Sequence, residues 1–323
     1  MGWRGAMRSL GAAARAAERD AQRRHKAALK EQMIADAANA VSDWEAYIDD
    51  LLSIHTNLAD EIDWASLADT PPPVKPVRRT ERADKARAKL QAFRPSLLTK
   101  VLGGTEKSRQ QLESAIATEA AKDERSYKSD CDAYDLALQD WEADTEIARR
   151  LNAGDEVAII EVIEEYQVLN EEARLGRSIN FAVSDGQVLA TVLVHADDIV
   201  PSFRRKQLAS GKLSESKMPV GQFNELYQDY VCSVALKVAG DLFRILPQRE
   251  VYVTCEAELL DTATGHQKPT PILSVQFVQD TFMRLNLRQI DPSDSMQNFN
   301  HVMRFTKTKG FSPVEPLIET KPS

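Results

Sequence analysis

The stretch GRSINFAVSDGQVLATVLVH, residues 176–195, separates two kinds of structure along the chain. Apolar and β-branched residues flank the dipeptide Asp185-Gly186, which readily adopts the positive φ angles of a tight hairpin turn. The stretch therefore predicts two strands, over residues 178–184 and 187–195. Upstream of residue 176 the apolar residues recur at helical spacing instead, so we predict an almost entirely helical region over residues 1–175.

Downstream of this hairpin the elements predict an α+β domain over residues 176–311. Residues 219–246 carry a broad apolar face and indicate one long core helix, and the preceding polar residues 196–218 are interpreted as a loop. Three further strands are predicted over residues 250–260, 272–278 and 301–307. This order of elements favours an antiparallel sheet covered by the core helix. The proline-containing residues 312–323 are interpreted as a flexible tail.

A coiled-coil-like seam runs through the first part of the helical region. Its apolar positions step by three and four, which is the a/d spacing of helices that associate with one another. The seam that we predict to mediate interaction consists of Ile34, Val41, Trp44, Ile48, Leu51 and His55. Of these, His55 is polar, and we interpret it as a partly exposed helix end rather than as a buried register residue. A second seam extends from Leu112 to Leu151, after a proline-rich break at residues 70–76.

Charged residues form blocks along the helical region. Residues 1–30 contain eight basic and two acidic groups, whereas residues 31–74 contain ten acidic groups and no Lys or Arg. Residues 75–100 are basic again, with nine basic against two acidic groups, and residues 110–175 carry eighteen acidic against six basic groups. Oppositely charged helices select one another as neighbours, so the blocks predict helix pairing within the chain or between chains.

The basic N-terminal block has two explanations, which the sequence leaves open. Arg15, Arg19, Arg23 and Arg24 could bind an anionic partner, either nucleic acid or an anionic membrane surface. Alternatively, they pair with carboxylates of neighbouring helices. For the second basic cluster, residues 78–89, we favour internal pairing.

One set of residues suggests catalysis. Asp197 or Asp198, followed by Glu215 and Lys217, could hold magnesium in a restriction-type nuclease. That chemistry needs Glu and Lys on a rigid core strand, but they fall in the predicted loop, which favours a solvated surface. The five histidines and three cysteines show no metal-ligand spacing, so we expect no metal site, no cofactor and no catalytic residues.

Composition and length define the expected class of protein. With 323 residues the chain has room for about two domains. Its three scattered cysteines are typical of a reducing compartment, and it contains no long uninterrupted apolar run, so we expect a cytoplasmic protein without a transmembrane segment. We expect a non-catalytic scaffold or interaction protein that associates with itself or a partner through its helices. The alternative is a nucleic-acid-associated protein, with or without a metal-dependent nuclease-like α+β domain.

Overall fold

The computed structural model describes residues 3–95, 104–165, 175–261 and 263–318, with side chains from residue 18 onward. Contacts divide the chain into two compact units. The first consists of Met1–Ile62 together with Gly154–Ser323, and the second is Asp63–Ala153. Helices fill the N-terminal part and a mixed sheet with helices the C-terminal part, so the coarse fold prediction is confirmed.

The helices and strands follow the predicted order, with additions. The helices are α1 (Trp3–Leu52), α2 (Trp64–Ala68), α3 (Glu81–Ala92), α4 (Thr105–Asn152), α5 (Glu156–Glu165), α6 (Val220–Ile245), α7 (Gln279–Phe282) and α8 (Pro292–Ser295). The strands are β1 (Ser178–Ser184), β2 (Gln187–Leu193), β3 (Phe203–Gln207), β4 (Leu213–Lys217), β5 (Glu250–Leu260), β6 (Gln267–Val278), β7 (Asn300–Thr306) and β8 (Gly310–Ser312). Short 3₁₀ turns lie at Ile54–Thr56, Asp197–Ile199 and Met296–Asn298.

The main sheet has six strands in the order β1-β2-β5-β6-β7-β8. Neighbouring strands are antiparallel except β2 and β5, which run parallel with Val188 opposite Val251. The predicted purely antiparallel sheet is therefore wrong at this pair. The chain between the two strands contains the long helix α6, and a helical crossover is the connection that parallel neighbours require.

Residues 196–218 are not the predicted loop. Strands β3 and β4 pair antiparallel within this segment and form a separate two-stranded sheet. The sequence conceals them because charged and polar residues occupy nearly every position, so the alternation expected of a half-buried strand is missing.

The first unit is built around α6, which confirms the predicted core helix. Tyr230, Val234 and Val238 are completely buried, and the sheet contributes Val253 and Cys255 to the same core. The other side of α6 is covered by the end of α1 and the turn that follows it. Because the sheet covers one side of α6 and the end of α1 covers the other, α6 buries residues around its whole circumference.

A polar stripe on α6 holds the segment after α1. The Lys237 ammonium lies 2.9 Å from the Asp241 carboxylate in a pair that is almost fully buried. The backbone N–H of Ala59 donates to the same carboxylate at 2.8 Å. One turn before Lys237 on α6, Ser233 Oγ lies 2.8 Å from Nδ1 of His55. These contacts fix residues 55–59 to the core helix.

His55 is buried rather than partly exposed, which corrects the interpretation from sequence. Only 2% of its surface is accessible, and its Nε2 lies 2.8 Å from the carbonyl oxygen of Leu287. Burial lowers the pKa of the His55 imidazole below its ordinary value, although hydrogen bonds to backbone groups act in the opposite direction. The neutral imidazole is therefore the form that this site favours.

The second unit pairs a basic helix with an acidic one. Ala83 of α3 is buried, and its backbone N–H donates to the Asp123 carboxylate of α4 at 2.9 Å. Arg82 lies 4.0 Å from the same carboxylate, and Arg78 pairs with Glu124. The second basic cluster thus pairs in part internally, the explanation that the sequence favoured.

The residues after β8 lie along the main sheet. The backbone N–H of Val314 donates to the carbonyl of Pro271 at 2.9 Å, and that of Leu317 to the Ser274 hydroxyl at 3.1 Å. Residues 313–318 of the predicted tail are therefore bound to β6, and residues 319–323 lie outside the described part of the chain.

Candidate anionic-partner surface

The first half of α1 presents a basic surface. Every side chain from residue 18 to residue 36 is exposed. Four basic residues in this stretch are spaced by four, three and four positions, which places them on one side of the helix. We call this set the basic stripe; it consists of Arg19, Arg23, Lys26 and Lys30. A further step of four residues leads from Lys30 to Ile34.

The β3–β4 hairpin lies along the same side of α1. The indole N–H of Trp44 donates to the carbonyl of Phe203 at 3.2 Å, at the start of β3. At its end, the Gln207 amide donates to the carbonyl of Ile34 at 2.8 Å. Ten helical residues span about 15 Å, and a five-residue strand spans about 17 Å. The hairpin therefore follows α1 toward its N-terminus, and its tip reaches the level where the basic stripe ends.

A glycine allows the close approach at the tip of the hairpin. Gly211 has a φ of +80°, which side-chain-bearing residues rarely adopt. A Cβ atom at this position would lie 2.5 Å from Cγ1 of Ile34, well inside contact distance. The absence of a side chain at Gly211 is therefore what lets the hairpin rest on the helix.

The two faces of the hairpin differ in charge balance. Side chains alternate along a strand, so Phe203, Arg205 and Gln207 share the face that reaches α1. On this inner face Arg205 pairs with Glu215 at 3.1 Å. The Arg205 guanidinium also lies 5.0 Å from the centre of the Phe203 ring. The charges of Arg205 and Glu215 thus neutralise each other, and Lys217, opposite Phe203, adds one positive charge to this face.

The opposite face of the hairpin, which we call the outer face, keeps its positive charge. Arg204 lies opposite Ser216, and Lys206 lies opposite Ser214. Both basic side chains are exposed, and none of the four residues is acidic. The outer face thus offers two cations and two hydroxyl groups, next to the end of the basic stripe.

The structure brings together only part of the predicted anionic-partner residues. Arg19, Arg23 and Arg24 are exposed on α1, whereas the side chain of Arg15 lies outside the described residues. Arg23 approaches Asp20 at 3.7 Å in a solvent-exposed pair, an arrangement that contributes little stability. Arg24 donates to the backbone carbonyl of Asp20.

The predicted interaction seam faces the first unit's own elements. Ile48, Leu51 and His55 are buried, and the remaining members, Ile34, Val41 and Trp44, are half-buried or at the limit of exposure. Their surroundings are the β3–β4 hairpin and α6. Whether the seam also mediates self-association stays a prediction.

Arg204 and Lys206 were missed by sequence reasoning because they were placed in a loop. The available signal was composition, since residues 203–217 contain five basic side chains and one acidic. Composition alone does not show that a strand would display alternate members of this run on one face.

The residues considered for nuclease chemistry do not form a metal site. Glu215 lies on the exposed strand β4 and pairs with Arg205, rather than sitting in a loop as predicted. Asp197 and Asp198 belong to a 3₁₀ turn before β3. Across the described ranges, no group of three His, Cys, Asp or Glu side chains is placed to hold a metal ion.

The first unit also contains an acidic cleft of about 600 Å³. It contains Asp229, whose pKa is raised to about 6 by burial, with Asp291, Glu225 and Asp294 adding repulsion. Asp291 also caps α8, accepting from the backbone N–H of Asp294 at 2.9 Å. This role in a helix cap gives the cleft a structural explanation.

No helix in the described part of the chain is both long and apolar enough to cross a membrane. Comparison of the chain with protein-family models, with curated proteins and with solved structures finds no match in any of the three.

Proposed function

We propose that this protein is a nucleic-acid-associated binding protein that contacts phosphates through the basic stripe of α1 and the adjoining outer face of the hairpin. The observation that carries this proposal is the alignment of the hairpin with α1, which makes two separate basic segments into one surface. Six cations line this surface in a chain whose net charge is −8. A local positive surface steers a polyanion even when the whole protein is acidic.

The contrast with the second basic cluster supports this proposal. On α3, Arg82 lies beside Asp123, and the Arg78 side chain pairs with Glu124. In the basic stripe Arg23 pairs with Asp20, one turn away on the same exposed helix. Such a pair is weak enough to be exchanged for a phosphate.

The surroundings of the seam favour this function over a scaffold based on the seam alone. Burial of Leu51 and His55 inside the first unit accounts for the apolar spacing after Val41 without a partner protein. The exposed first half of α1 has no such internal explanation, because every side chain from residue 18 to residue 33 is exposed to solvent.

Salt-dependent DNA binding by the full chain tests the proposal. Six phosphate contacts predict a slope of log K against log salt of about −5. Replacing the four basic-stripe residues by Gln should weaken binding strongly and reduce the slope to about −2. Fluorescence anisotropy with a labelled DNA, from 50 to 200 mM salt, measures both quantities.

The matched control replaces four exposed basic residues of the second unit by Gln, namely Lys75, Arg79, Lys85 and Lys89. This control removes the same net charge and should change the slope only slightly. Equal loss in the two variants, or no binding by the unaltered protein, would contradict the proposed surface.

Self-association through α1, with coiled-coil packing, is the second candidate function. Its specific support is the exposure of Leu29 and Met33, which are 47% and 56% accessible just before the packed part of the seam. Light scattering at micromolar concentration should then show a dimer that Leu29→Asp with Met33→Asp converts to a monomer. A monomer before substitution would remove this candidate.

A further inference from the structure

We infer that the preferred partner is B-form duplex DNA and that the outer face of the hairpin enters its major groove while the basic stripe follows the phosphates. This inference rests on the proposed function and specifies the form of nucleic acid. Its starting point is the isolation of β3 and β4, which within the described ranges pair only with each other. A free two-stranded ribbon is one of the two elements that the major groove admits.

The chemistry of the outer face suits base edges as well as phosphates. Arg204 and Lys206 provide donors for the acceptor atoms of guanine, and the Ser214 and Ser216 hydroxyls can donate or accept. No carboxylate shares this face, because Glu215 belongs to the inner face and pairs with Arg205. The outer face can therefore approach a polyanion without repulsion from its own strands.

The arrangement of α1 extends the contact beyond the ribbon. From Ile34 back to Arg19 the helix covers roughly 22 Å, or about six base pairs of duplex. Because the hairpin tip rests on Ile34, the ribbon and the basic stripe follow one another along the helix. A rigid extended partner can meet both, whereas a small anion can meet only one.

Single-stranded nucleic acid fits this surface less well. Sequence-tolerant binding of single strands depends on aromatic rings that stack on the bases. Two rings at the hairpin, Phe203 and Trp44, are already engaged, since Arg205 covers Phe203 and the Trp44 indole donates to a backbone carbonyl. The outer face itself carries no aromatic residue.

Duplex RNA and membranes also fit less well. The major groove of A-form RNA is too narrow for side chains of a ribbon to read it. A membrane-binding surface combines its positive charge with apolar side chains that insert into the headgroup region. Leu29 and Met33 are exposed on α1, but the outer face of the hairpin has only Arg, Lys and Ser, so the duplex with the wide groove is the partner that the chemistry of the outer face favours.

The test compares four probes with the full-length protein at one salt concentration. They are a 20-base-pair DNA duplex, one of its strands alone, the RNA duplex of the same sequence, and vesicles containing phosphatidylserine. We expect the DNA duplex to bind at least ten times more tightly than each of the others. Equal affinity for the single strand, or a preference for duplex RNA, would overturn the duplex inference and leave the proposed function standing.

Vesicle binding without DNA binding, or no binding to any probe, would overturn the inference and the proposed function together. The two failures are therefore distinguishable.

Two variants locate the preference on the hairpin. Replacing Arg204 and Lys206 by Ala should lower duplex affinity about 10- to 100-fold and bring it close to the affinity for the single strand. The control replaces Lys268 and Lys309 by Ala, because both are exposed elsewhere on the first unit. Unchanged duplex preference in the first variant would overturn the assignment to the outer face.

The second variant, Gly211→Val, keeps every charge but forces the hairpin tip away from Ile34. It should lose duplex preference while still binding the single strand through the basic stripe. Thermal melting and circular dichroism verify that each variant is folded. A duplex preference equal to that of the unaltered protein would show that the alignment of hairpin and helix is irrelevant.

Discussion

The two halves of α1 share one continuous helical backbone but meet opposite environments. The side chains of residues 18–36 are all exposed, whereas Ala37, Ile48 and Leu51 are buried against other elements of the first unit. The first half is basic and the second is acidic. Helix formation therefore does not by itself assign a role to a segment. Packing makes the second half part of the core and leaves the first half available to a partner.

This comparison assigns stability to the second half of α1 and ligand binding to the first. In the second half Leu51 is buried, and the segment that follows α1 is held by Asp241, which accepts from the backbone N–H of Ala59. The contacts of the first half are solvent-exposed and individually weak. Substitutions in the two halves should therefore affect different measurements.

The largest expected effect follows from removing the buried carboxylate that holds the end of the anchored half. Asp241→Ala removes the carboxylate that pairs with the buried Lys237 ammonium, and it removes the acceptor for Ala59. We expect a loss of about 3–5 kcal/mol in the free energy of unfolding. Urea denaturation measures this loss.

Lys237→Met combined with Asp241→Leu provides the control for Asp241→Ala, because it leaves no isolated charge. It should recover much of the lost stability. If Asp241→Ala is as stable as the unaltered protein, the pair of Lys237 and Asp241 does not anchor residues 55–59.

The most direct test of the comparison uses one substitution type in each half. Leu51→Ala removes a fully buried side chain and should cost about 2–5 kcal/mol. Leu29→Ala removes a side chain that is 47% exposed and should change stability by at most about 0.5 kcal/mol. Both are measured by denaturant unfolding, and similar losses in the two variants would contradict the division of α1.

A pH effect on stability should come from His55, in the turn that follows the second half of α1. Because the pKa of His55 is lowered in the folded state, the unfolded chain binds the proton more tightly. His55 therefore contributes stability that is fully present above pH 6.5 and is lost as the pH falls below that value. Melting temperatures from pH 8 to pH 5 should show this loss, and His55→Gln should reduce it.

The effect of Asp229 on the pH dependence of stability is opposite to that of His55. Its pKa is raised to about 6, so the folded state gains stability as the pH falls from 6 toward 3.8. An Asp229→Asn variant separates this contribution from that of His55. A His55→Gln variant with an unaltered pH profile would contradict the assignment to the imidazole.

Deleting residues 3–30 should have only a small effect on stability. These residues include the basic stripe, whose described ion pair is exposed, so the free energy of unfolding should change by no more than about 1 kcal/mol. Nucleic-acid binding should weaken strongly at the same time. Thermal melting measures the change in stability, and fluorescence anisotropy on the same preparation measures nucleic-acid binding. A large drop in melting temperature would show that the first half of α1 also packs against other elements.

Most helices and the first hairpin could be predicted from sequence because their signals are local. The seam in α1, the apolar face of α6 and the Asp185-Gly186 turn each lie within a few turns of chain. Hairpin β3–β4 and the parallel pairing of β2 with β5 could not be predicted, because each depends on distant partners. The polar strand β3 has a defined place because α1, more than 150 residues away in sequence, supplies the Trp44 hydrogen bond.

Only part of the candidate surface could be predicted from the sequence. Arg19, Arg23 and Arg24 stand out because no acidic block surrounds them. Arg204 and Lys206 do not stand out, because a run of basic residues has the same composition in a loop and on a strand.

Long helices in the first part of the chain, an α+β region after them and charge in blocks could all be read from the amino-acid sequence. These properties follow from periodicity and composition, which are carried by neighbouring residues. The tertiary structure decided which charges are neutralised and which remain open. Arg82 lies beside a carboxylate of α4, while Arg204 projects from a face without one. Ion pairing depends on distances across the fold, and those distances exist only once the chain has packed.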